Sequence, residues 1–177
     1  MTDRLKISLF DILSAFGLQD IRVLDLYAGT GSLGIEMLSR GAAWADFVEQ
    51  NAAVCRIITE NLESTRLSDA AHVYTMPVAR FITMKSGQVN AGAEYDIILL
   101  DPPYADPAIP VTLESIAISP LLAEEGLVVI GHANRVKLAE EYGEGRIYRL
   151  RHRAMGDSAF SIYTNAAPDD DGAESEA

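Results

Sequence analysis

Residues 23–34 read V-L-D-L-Y-A-G-T-G-S-L-G, a short apolar run followed by a turn that contains three glycines. A helical pattern follows over residues 32–40. A strand, a glycine turn and a helix in this order open a nucleotide-binding α/β fold. Glycine lets the backbone approach a ligand closely, and the helix start beyond it offers unpaired N–H groups. We therefore expect a ligand to bind at this turn, next to Gly29 and Gly31.

Apolar residues at regular spacing predict helices and strands that alternate along the rest of the chain. The predicted helices span residues 3–16, 32–40, 51–65, 77–84, 109–118 and 134–142. Phe16 continues the apolar spacing of the first helix, and Ile57 belongs to the buried stripe of the third. The predicted strands span residues 22–26, 45–49, 72–75, 95–100 and 126–131. Residues 146–153 and 158–164 then form a closing antiparallel hairpin. This order predicts an α/β three-layer sandwich around a mostly parallel sheet.

Composition limits the class of protein. The chain of 177 residues carries 26 acidic and 14 basic side chains, a net charge of −12. Five of the acids lie in the last nine residues. This indicates one domain over residues 1–165 and a disordered acidic tail over residues 166–177. The acidic balance argues against general nucleic-acid binding, which depends on phosphate neutralisation.

Cysteine and histidine usage points away from disulfides and metals. The single cysteine, Cys55, cannot form an internal disulfide, and three scattered histidines show no metal-ligand spacing. We see no signal peptide and no apolar run of membrane-spanning length. These features favour a cytoplasmic protein without a metal.

Three acids lie at the ends of predicted parallel strands, where ligands bind in such sheets. Asp25 lies within the first strand and could accept from a ligand's ammonium group or from the amides of the turn. Glu49 ends the second strand 20 positions after Gly29, the usual offset for a carboxylate that binds ribose hydroxyls. Asp101 ends the fourth strand.

Residues 101–104 read D-P-P-Y, a motif suited to amine chemistry. An exocyclic amine on a base is a poor nucleophile because its lone pair is delocalised into the ring. The Asp101 carboxylate and the Pro102 carbonyl can accept its two N–H groups, while Tyr104 offers a ring for the base to stack on. A rigid strand exit with a surface tyrosine is the alternative. With Asp25 and the glycine turn, the motif looks like an S-adenosylmethionine methyltransferase acting on an amino nitrogen.

The body of the chain resembles the RsmD-type 16S ribosomal-RNA guanine-N2 methyltransferases. The matching stretches are T-D-R at 2–4, L-F at 9–10, residues 23–42, F-V-E-Q-N at 47–51, I-I-L-L-D-P-P-Y at 97–104 and M-G-D-S-A-F-S-I-Y at 155–163. The resemblance implies a seven-stranded sheet and S-adenosylmethionine as cofactor. It also implies a guanine 2-amino group as target, in small-subunit RNA that is either free or part of an assembling 30S particle.

Site residues follow from the motifs and the resemblance together. The catalytic positions are Asp101, Pro102 and Tyr104. The positions assigned to the cofactor are Asp25, Tyr27, Gly29, Gly31, Glu49, Gln50, Val78 and Asp101.

Basic residues suggest where RNA would bind. Arg149, Arg151 and Arg153 alternate along the first strand of the closing hairpin, so they are predicted to share one face. Arg4 and Lys6 add positive charge near the N-terminus. The alternative is that the arginines pair with nearby acids such as Glu140.

The sequence departs from the family pattern in three places. Family members commonly begin with a basic hairpin ahead of the segment that matches residues 2–10, and this sequence starts without it. Pro77 stands where an acid or amide commonly holds the adenine amino group, which leaves backbone contacts. Gly131 stands where the fifth strand usually ends in glutamate.

Other functions remain open at this stage. The D-P-P-Y motif also occurs in DNA adenine or cytosine amino-methyltransferases, and a related motif occurs in protein glutamine methyltransferases. A non-catalytic cofactor-binding or RNA-scaffold protein and a nicotinamide oxidoreductase are further alternatives.

Overall fold

A computed structural model describes residues 1–87, 94–103 and 106–167. In these residues the strands are β1 Arg22–Leu26, β2 Trp44–Glu49, β3 Ala71–Thr75, β4 Tyr95–Leu100, β5 Leu122–Ala133, β6 Glu141–Tyr142, β7 Ile147–Met155 and β8 Ser158–Thr164. The α-helices are α1 Asp3–Ser14, α2 Ser32–Ser39, α3 Ala52–Thr65, α4 Val78–Ser86 and α5 Ile109–Ala117, with a 3₁₀ turn at Ser68–Ala70.

All the strands join in one sheet of order β3-β2-β1-β4-β5-β8-β7-β6. Strands β1 to β5 are parallel, and β8, β7 and β6 continue the sheet antiparallel. The predicted fold class, a mostly parallel sheet with a closing antiparallel hairpin, is confirmed. The two-residue β6 is an addition at the edge of the predicted seven strands. Strand order reverses between β1 and β4, so the ends of these strands border the crevice where such sheets bind ligands.

Helices cover the sheet on both faces, as a buried parallel sheet requires. Residues of α1, α2 and α3 pack in one apolar cluster, and residues of α4 and α5 pack in another on the opposite face. Strand β4 contributes to both clusters, through Ile97 and Leu99 on one side and Ile98 and Leu100 on the other. The three-layer arrangement follows from this alternation of buried side chains.

The junction of β2 and α3 is held by its own side chains. The Asn51 carboxamide oxygen accepts from the backbone N–H groups of Ala53 and Val54, at 2.9 and 3.3 Å. This is the usual N-cap arrangement of asparagine. Cys55 is buried one turn later, and its thiol donates to the Glu49 carbonyl at 3.3 Å. These contacts determine where β2 ends and hence where Glu49 lies.

The predicted helix over residues 134–142 is wrong. The described chain there is irregular up to β6, which pairs with β7. The Asn134 backbone N–H donates to the Asp157 carbonyl at 2.8 Å, and Tyr142 packs edge-on against Tyr163 with ring centroids 5.6 Å apart. The apolar side chains that suggested a helix are buried by tertiary contacts of an irregular segment.

The prediction that Ile57 is buried in the third helix is wrong. Its side chain is 41% exposed because the buried side of α3 follows Cys55, Ile58 and Leu62. Phe16, which the sequence placed in the first helix, lies beyond α1, because α1 ends at Ser14, and its side chain is 49% exposed.

Two predicted segments, a loop and an acidic tail, lie mostly outside the described residues. Most of the loop predicted over residues 86–94 and nearly all of the predicted acidic tail lie outside the described residues, at 88–93 and 168–177. Among the helices of the described ranges, none has the length and apolar character that crossing a membrane demands.

Gly34 gives a test of the helix-to-sheet packing. A Cβ at this position would lie 2.4 Å from the Phe47 ring and 3.0 Å from Asp25 Oδ2. We expect Gly34→Ala to lower the free energy of unfolding by about 1–3 kcal/mol in urea denaturation. Gly87→Ala is the control, because a Cβ there meets nothing closer than 3.7 Å. Equal stability of the two variants would contradict the close packing of α2.

Candidate functional site

The turn after β1 adopts a left-handed backbone at three positions, with φ of 57° at Tyr27, 55° at Gly29 and 80° at Gly31. Two glycines therefore stand where a side chain would be strained. The Asn61 amide donates to the Thr30 carbonyl at 2.9 Å and ties the turn to α3. A Cβ on Gly29 would meet nothing within 4 Å, so the turn has open space on that side.

Glu49 joins the turn to the end of β2. One carboxylate oxygen accepts from the Gly29 amide at 3.2 Å, and the other accepts from the Asn51 amide at 2.8 Å. Each carboxylate oxygen has a second lone pair for a ligand hydroxyl. Glu49 is therefore held in one orientation at the carboxyl edge of the sheet.

A cavity of about 410 Å³ lies at this edge, within the size range of small-molecule sites. It is lined by Met1, Tyr27, Val48, Glu49, Gln50, Val78, Asp101, Pro102, Pro103 and Asp106. Five residues assigned to the cofactor from the sequence are therefore brought together: Tyr27, Glu49, Gln50, Val78 and Asp101. Gly29 and Gly31 shape the turn and do not line the cavity themselves.

Asp25 has a different place from the other assigned residues. Its side chain is buried, and Oδ2 accepts from the Gly34 amide of α2 at 2.9 Å. Burial raises the pKa of this carboxyl to about 8, against the lowering effect of the Gly34 hydrogen bond. The negative charge of Asp101 raises this pKa further, and the positive charge of Lys6 lowers it. Of the two roles considered for Asp25, acceptance from the backbone amides is the one observed.

Asp101 lies at the end of β4 with its side chain 28% exposed. Both carboxylate oxygens accept from the ammonium group of Met1, at 3.2 and 3.0 Å. Gly131 stands beside it, where a Cβ would come within 2.6 Å of Asp101 Oδ1. The carboxylate also lines the cavity, so an N–H donor in the cavity can reach it. Tyr104 lies outside the described residues.

Two further residues belong to the site. Asp106 lines the cavity, and its backbone N–H donates to the Pro103 carbonyl at 3.0 Å. Thr112 of α5 is hydrogen-bonded to the Tyr27 hydroxyl at 3.1 Å. The acid two positions after D-P-P-Y was a signal for Asp106. No local pattern in the sequence links Tyr27 with Thr112.

The three hairpin arginines do not share one face. Arg149 pairs with Tyr163 of β8, and Arg151 pairs with the next residue, Ile162, because the register shifts at Leu150. Tyr163 and Ile162 are successive residues of β8, so their side chains point to opposite faces of the sheet. Paired residues share a face, and Arg149 and Arg151 therefore also point to opposite faces. The alternation predicted from the sequence is interrupted by this bulge.

The contacts of the basic residues differ accordingly. Arg149 forms a salt bridge with Glu140 and donates to the Leu138 carbonyl at 3.4 Å, as the alternative interpretation expected. Arg151 and Arg153 are exposed and lie on one face.

The two basic residues of α1 also differ. Arg4 is exposed on the helix. The Lys6 ammonium group donates to the Ser32 hydroxyl at 3.2 Å, at the start of α2. In the described ranges, no three His, Cys, Asp or Glu side chains gather as a metal ion would require.

Known proteins resemble the chain over nearly its whole length. A family model described as "Conserved hypothetical protein 95" matches residues 1–164. The "Putative rRNA methyltransferase YlbH" of Bacillus subtilis is 31% identical over 162 residues, which cover 92% of this chain and 85% of that protein. The "Ribosomal RNA small subunit methyltransferase D" of Escherichia coli K12 is 28% identical over 166 residues, or 94% of this chain and 79% of the other.

A solved structure is similar as well. The "Putative methyltransferase yhhF from Escherichia coli" superposes with a TM-score of 0.78 and 27% identity. The match covers 94% of this chain and 87% of that protein.

The raised pKa of Asp25 makes a prediction about pH. The folded state holds a proton that the unfolded state has lost, so this group reduces stability as pH rises from about 4 to about 8. Asp25→Asn keeps an oxygen acceptor for Gly34 and removes the titration. The variant's stability relative to the wild type should rise by up to about 1.4 kcal/mol per pH unit between pH 5 and 7, and level off above pH 8. Urea denaturation across this range measures the difference, and a constant difference would contradict the assignment.

Proposed function

We propose that this chain, which belongs to the Conserved hypothetical protein 95 family, the RsmD-type methyltransferases, transfers a methyl group to a guanine N2 amino group in small-subunit ribosomal RNA. S-adenosylmethionine is the methyl donor and ribosomal RNA the acceptor. The relatives carry ribosomal-RNA methyltransferase in their names, which supports the reaction. The guanine N2 target, an acceptor within an assembling 30S particle and a cytoplasmic location are the finer parts of the proposal.

The cavity residues fit S-adenosylmethionine by size and chemistry. The Glu49 carboxylate is held where it can accept from ribose hydroxyls, and Val48 and Val78 offer apolar surface for the adenine ring. The open side of Gly29 leaves room for a ligand beside the turn. When bound, the cofactor supplies an electrophilic methyl group on a positively charged sulfonium. The negative charge of Glu49, Asp101 and Asp106 suits that cation.

The place of Asp101 in the cavity is the observation that carries the proposal. Its carboxylate lines the cavity together with Glu49 and Pro102, and its side chain is 28% exposed, so it can accept from an N–H group there. A guanine amino group that donates to Asp101, with the Pro102 carbonyl as second acceptor, would direct its lone pair towards the methyl group. Asp101 can then hold the proton that the nitrogen loses. Stacking of the base on Tyr104 stays a prediction.

The RNA surface is proposed to include Arg151 and Arg153. They are exposed and lie on one face of β7, and the salt bridges within the described part of the chain include Arg149 but neither of these two. The remainder of the chain is strongly acidic, which leaves a phosphate backbone few other surfaces. Arg149, which was assigned to RNA from the sequence, is left out of this surface because it pairs with Glu140.

Two conservative variants separate cofactor binding from catalysis. Asp101→Asn should reduce the rate of methyl transfer at least about 100-fold with little change in S-adenosylmethionine affinity, because Asp101 is proposed to accept from the guanine amino group. Glu49→Gln should instead weaken cofactor binding by about 1–3 kcal/mol. Calorimetry and single-turnover transfer of labelled methyl to small-subunit RNA, followed by nucleoside identification, measure both. Near-native turnover by Asp101→Asn would exclude the mechanism, and a product other than N2-methylguanosine would exclude the target.

The arginines predict a salt-dependent effect on RNA binding. Replacing Arg151 and Arg153 with glutamine should weaken binding across RNA sequences, because each arginine neutralises a phosphate. The slope of log affinity against log salt should fall by about one for each phosphate that is no longer neutralised. Arg149→Gln is the control on the opposite face and should leave the slope unchanged. Equal slopes for the double variant and the wild type, with cofactor affinity intact, would place RNA on another surface.

A further inference from the structure

A second cavity lies at the amino ends of strands β4 and β5, whereas the cofactor cavity lies at the carboxyl ends of the parallel strands. It measures about 530 Å³ and is bordered by the start of β4, the start of β5 and the segment after α1. Strand β4 separates the two cavities, since Asp96 borders this one and Asp101 the other. At about 3.3 Å per residue the two acids are about 16 Å apart along the strand. We call this second cavity the rear groove.

The rear groove combines apolar and acidic side chains. Ile97 and Leu127 contribute to its floor, and Phe16 and Leu150 stand at its border. The two border side chains are 49% and 43% exposed, so both offer apolar surface to a partner. The carboxylates of Asp96, Glu124 and Glu125 line the same groove.

The two glutamates are presented by an irregularity in β5. Tyr95 pairs with Leu122 and Ile97 with Leu127, so four residues of β5 stand opposite one residue of β4. Within this excursion Glu125 has a left-handed φ of 58°, which costs a non-glycine residue conformational energy.

Side chains at the end of β8 hold the excursion in place. The Thr164 hydroxyl donates to the Gly126 carbonyl at 3.0 Å, and the Asn165 side-chain amide donates to the Ala123 carbonyl at 2.9 Å. Of the ion pairs found within residues 1–87, 94–103 and 106–167, none includes Glu124 or Glu125. Both side chains are exposed, so their charge is available to a partner.

We propose that the rear groove docks an extended protein segment that carries lysine or arginine together with an apolar side chain. The three carboxylates attract the basic residues, and the apolar border formed by Phe16 and Leu150 receives the apolar one. A basic side chain can also stack on the ring of Phe16. The partner segment therefore needs basic and apolar side chains that alternate along it. In an extended chain, such alternation places the two kinds of side chain on opposite faces.

Charge excludes the other occupants. RNA is repelled because its phosphates would face three carboxylates. A second copy of this chain carries a net charge of −12 and is repelled in the same way. The chain's own C-terminal sequence continues from Ala167, which lines the groove, and contains five acids. A stretch of that composition cannot neutralise the carboxylates of the groove.

Proteins that coat RNA are rich in lysine and arginine because they neutralise phosphates. A substrate RNA within a ribonucleoprotein particle would therefore bring such segments close to the enzyme. This link to the substrate particle rests on the proposed function, whereas the docking itself does not.

A binding assay without RNA tests the docking. The probe is a fluorescein-labelled peptide of alternating lysine and leucine, and binding is followed by anisotropy at about 0.15 M salt. Replacing Glu124 and Glu125 with glutamine should weaken binding about tenfold. The matched control replaces Glu60 and Glu63, two exposed acids of α3, and changes the net charge equally. It should change binding less than about twofold because these acids do not line the groove.

An apolar variant tests the second half of the proposal. Phe16→Ala should weaken binding about threefold or more without altering its salt dependence, while Ile118→Ala, at a side chain 58% exposed elsewhere, should have no effect. Unchanged S-adenosylmethionine binding confirms that each variant is folded.

Four results would overturn the docking proposal. These are no binding of the peptide, equal weakening by both glutamate pairs, equal binding of a peptide with glutamate in place of lysine, and displacement of the peptide by spermidine at equal charge. The last result would indicate a site for small polycations. Methyl transfer is not measured in this assay, so failure of the proposed reaction would leave its outcome unaffected.

Discussion

The approach of α2 to the sheet is the contact on which the site depends. Gly34 has no side chain, so the first turn of the helix lies against the Phe47 ring and its amide donates to Asp25. With the helix so close, the turn that leads into it must reverse direction in a few residues, which requires the left-handed backbone at Gly29 and Gly31. The Gly29 amide then meets Glu49 at 3.2 Å. One helix-to-sheet contact therefore sets the turn and the orientation of a cavity carboxylate.

Acidic side chains line a concave surface at each end of the parallel strands. At the carboxyl ends of the parallel strands, beside the cavity that Asp101 lines, Asp25 holds its proton at neutral pH because burial raises its pKa to about 8, so this carboxyl adds no negative charge there. The half-buried carboxylates of Glu49, Asp101 and Asp106 line that cavity, where a positively charged ligand fits best. At the opposite edge, Glu124 and Glu125 face a groove with apolar borders. The same sheet thus presents two acidic concave surfaces of different chemistry.

Local patterns predicted most of the fold. The five α-helices α1 to α5 and the strands β1, β2, β3, β4, β7 and β8 lie within two residues of their predicted bounds, because local apolar periods and glycine, proline or cap residues mark their ends. Strand β5 begins four residues before its predicted start, at Leu122, because the irregular stretch opposite Asp96 belongs to it. The helix predicted over residues 134–142 failed because an irregular segment can bury apolar side chains at similar spacing. Periodicity reports which residues are buried, and it does not report which backbone buries them.

The sequence by itself determined the βα order, the glycine turn and the acids at the strand ends, because strand and turn propensities act over a few neighbouring residues. The motifs and the family resemblance assigned Tyr27, Glu49, Gln50, Val78 and Asp101 to the cofactor, and these five residues line one cavity. Only the tertiary structure decided that Asp25 is buried against Gly34, that Thr112 contacts Tyr27, and that Arg149 points away from Arg151. Each of these depends on distance or register between segments remote in sequence. A single inserted residue in β7 reverses a side chain, and no local pattern encodes that pairing.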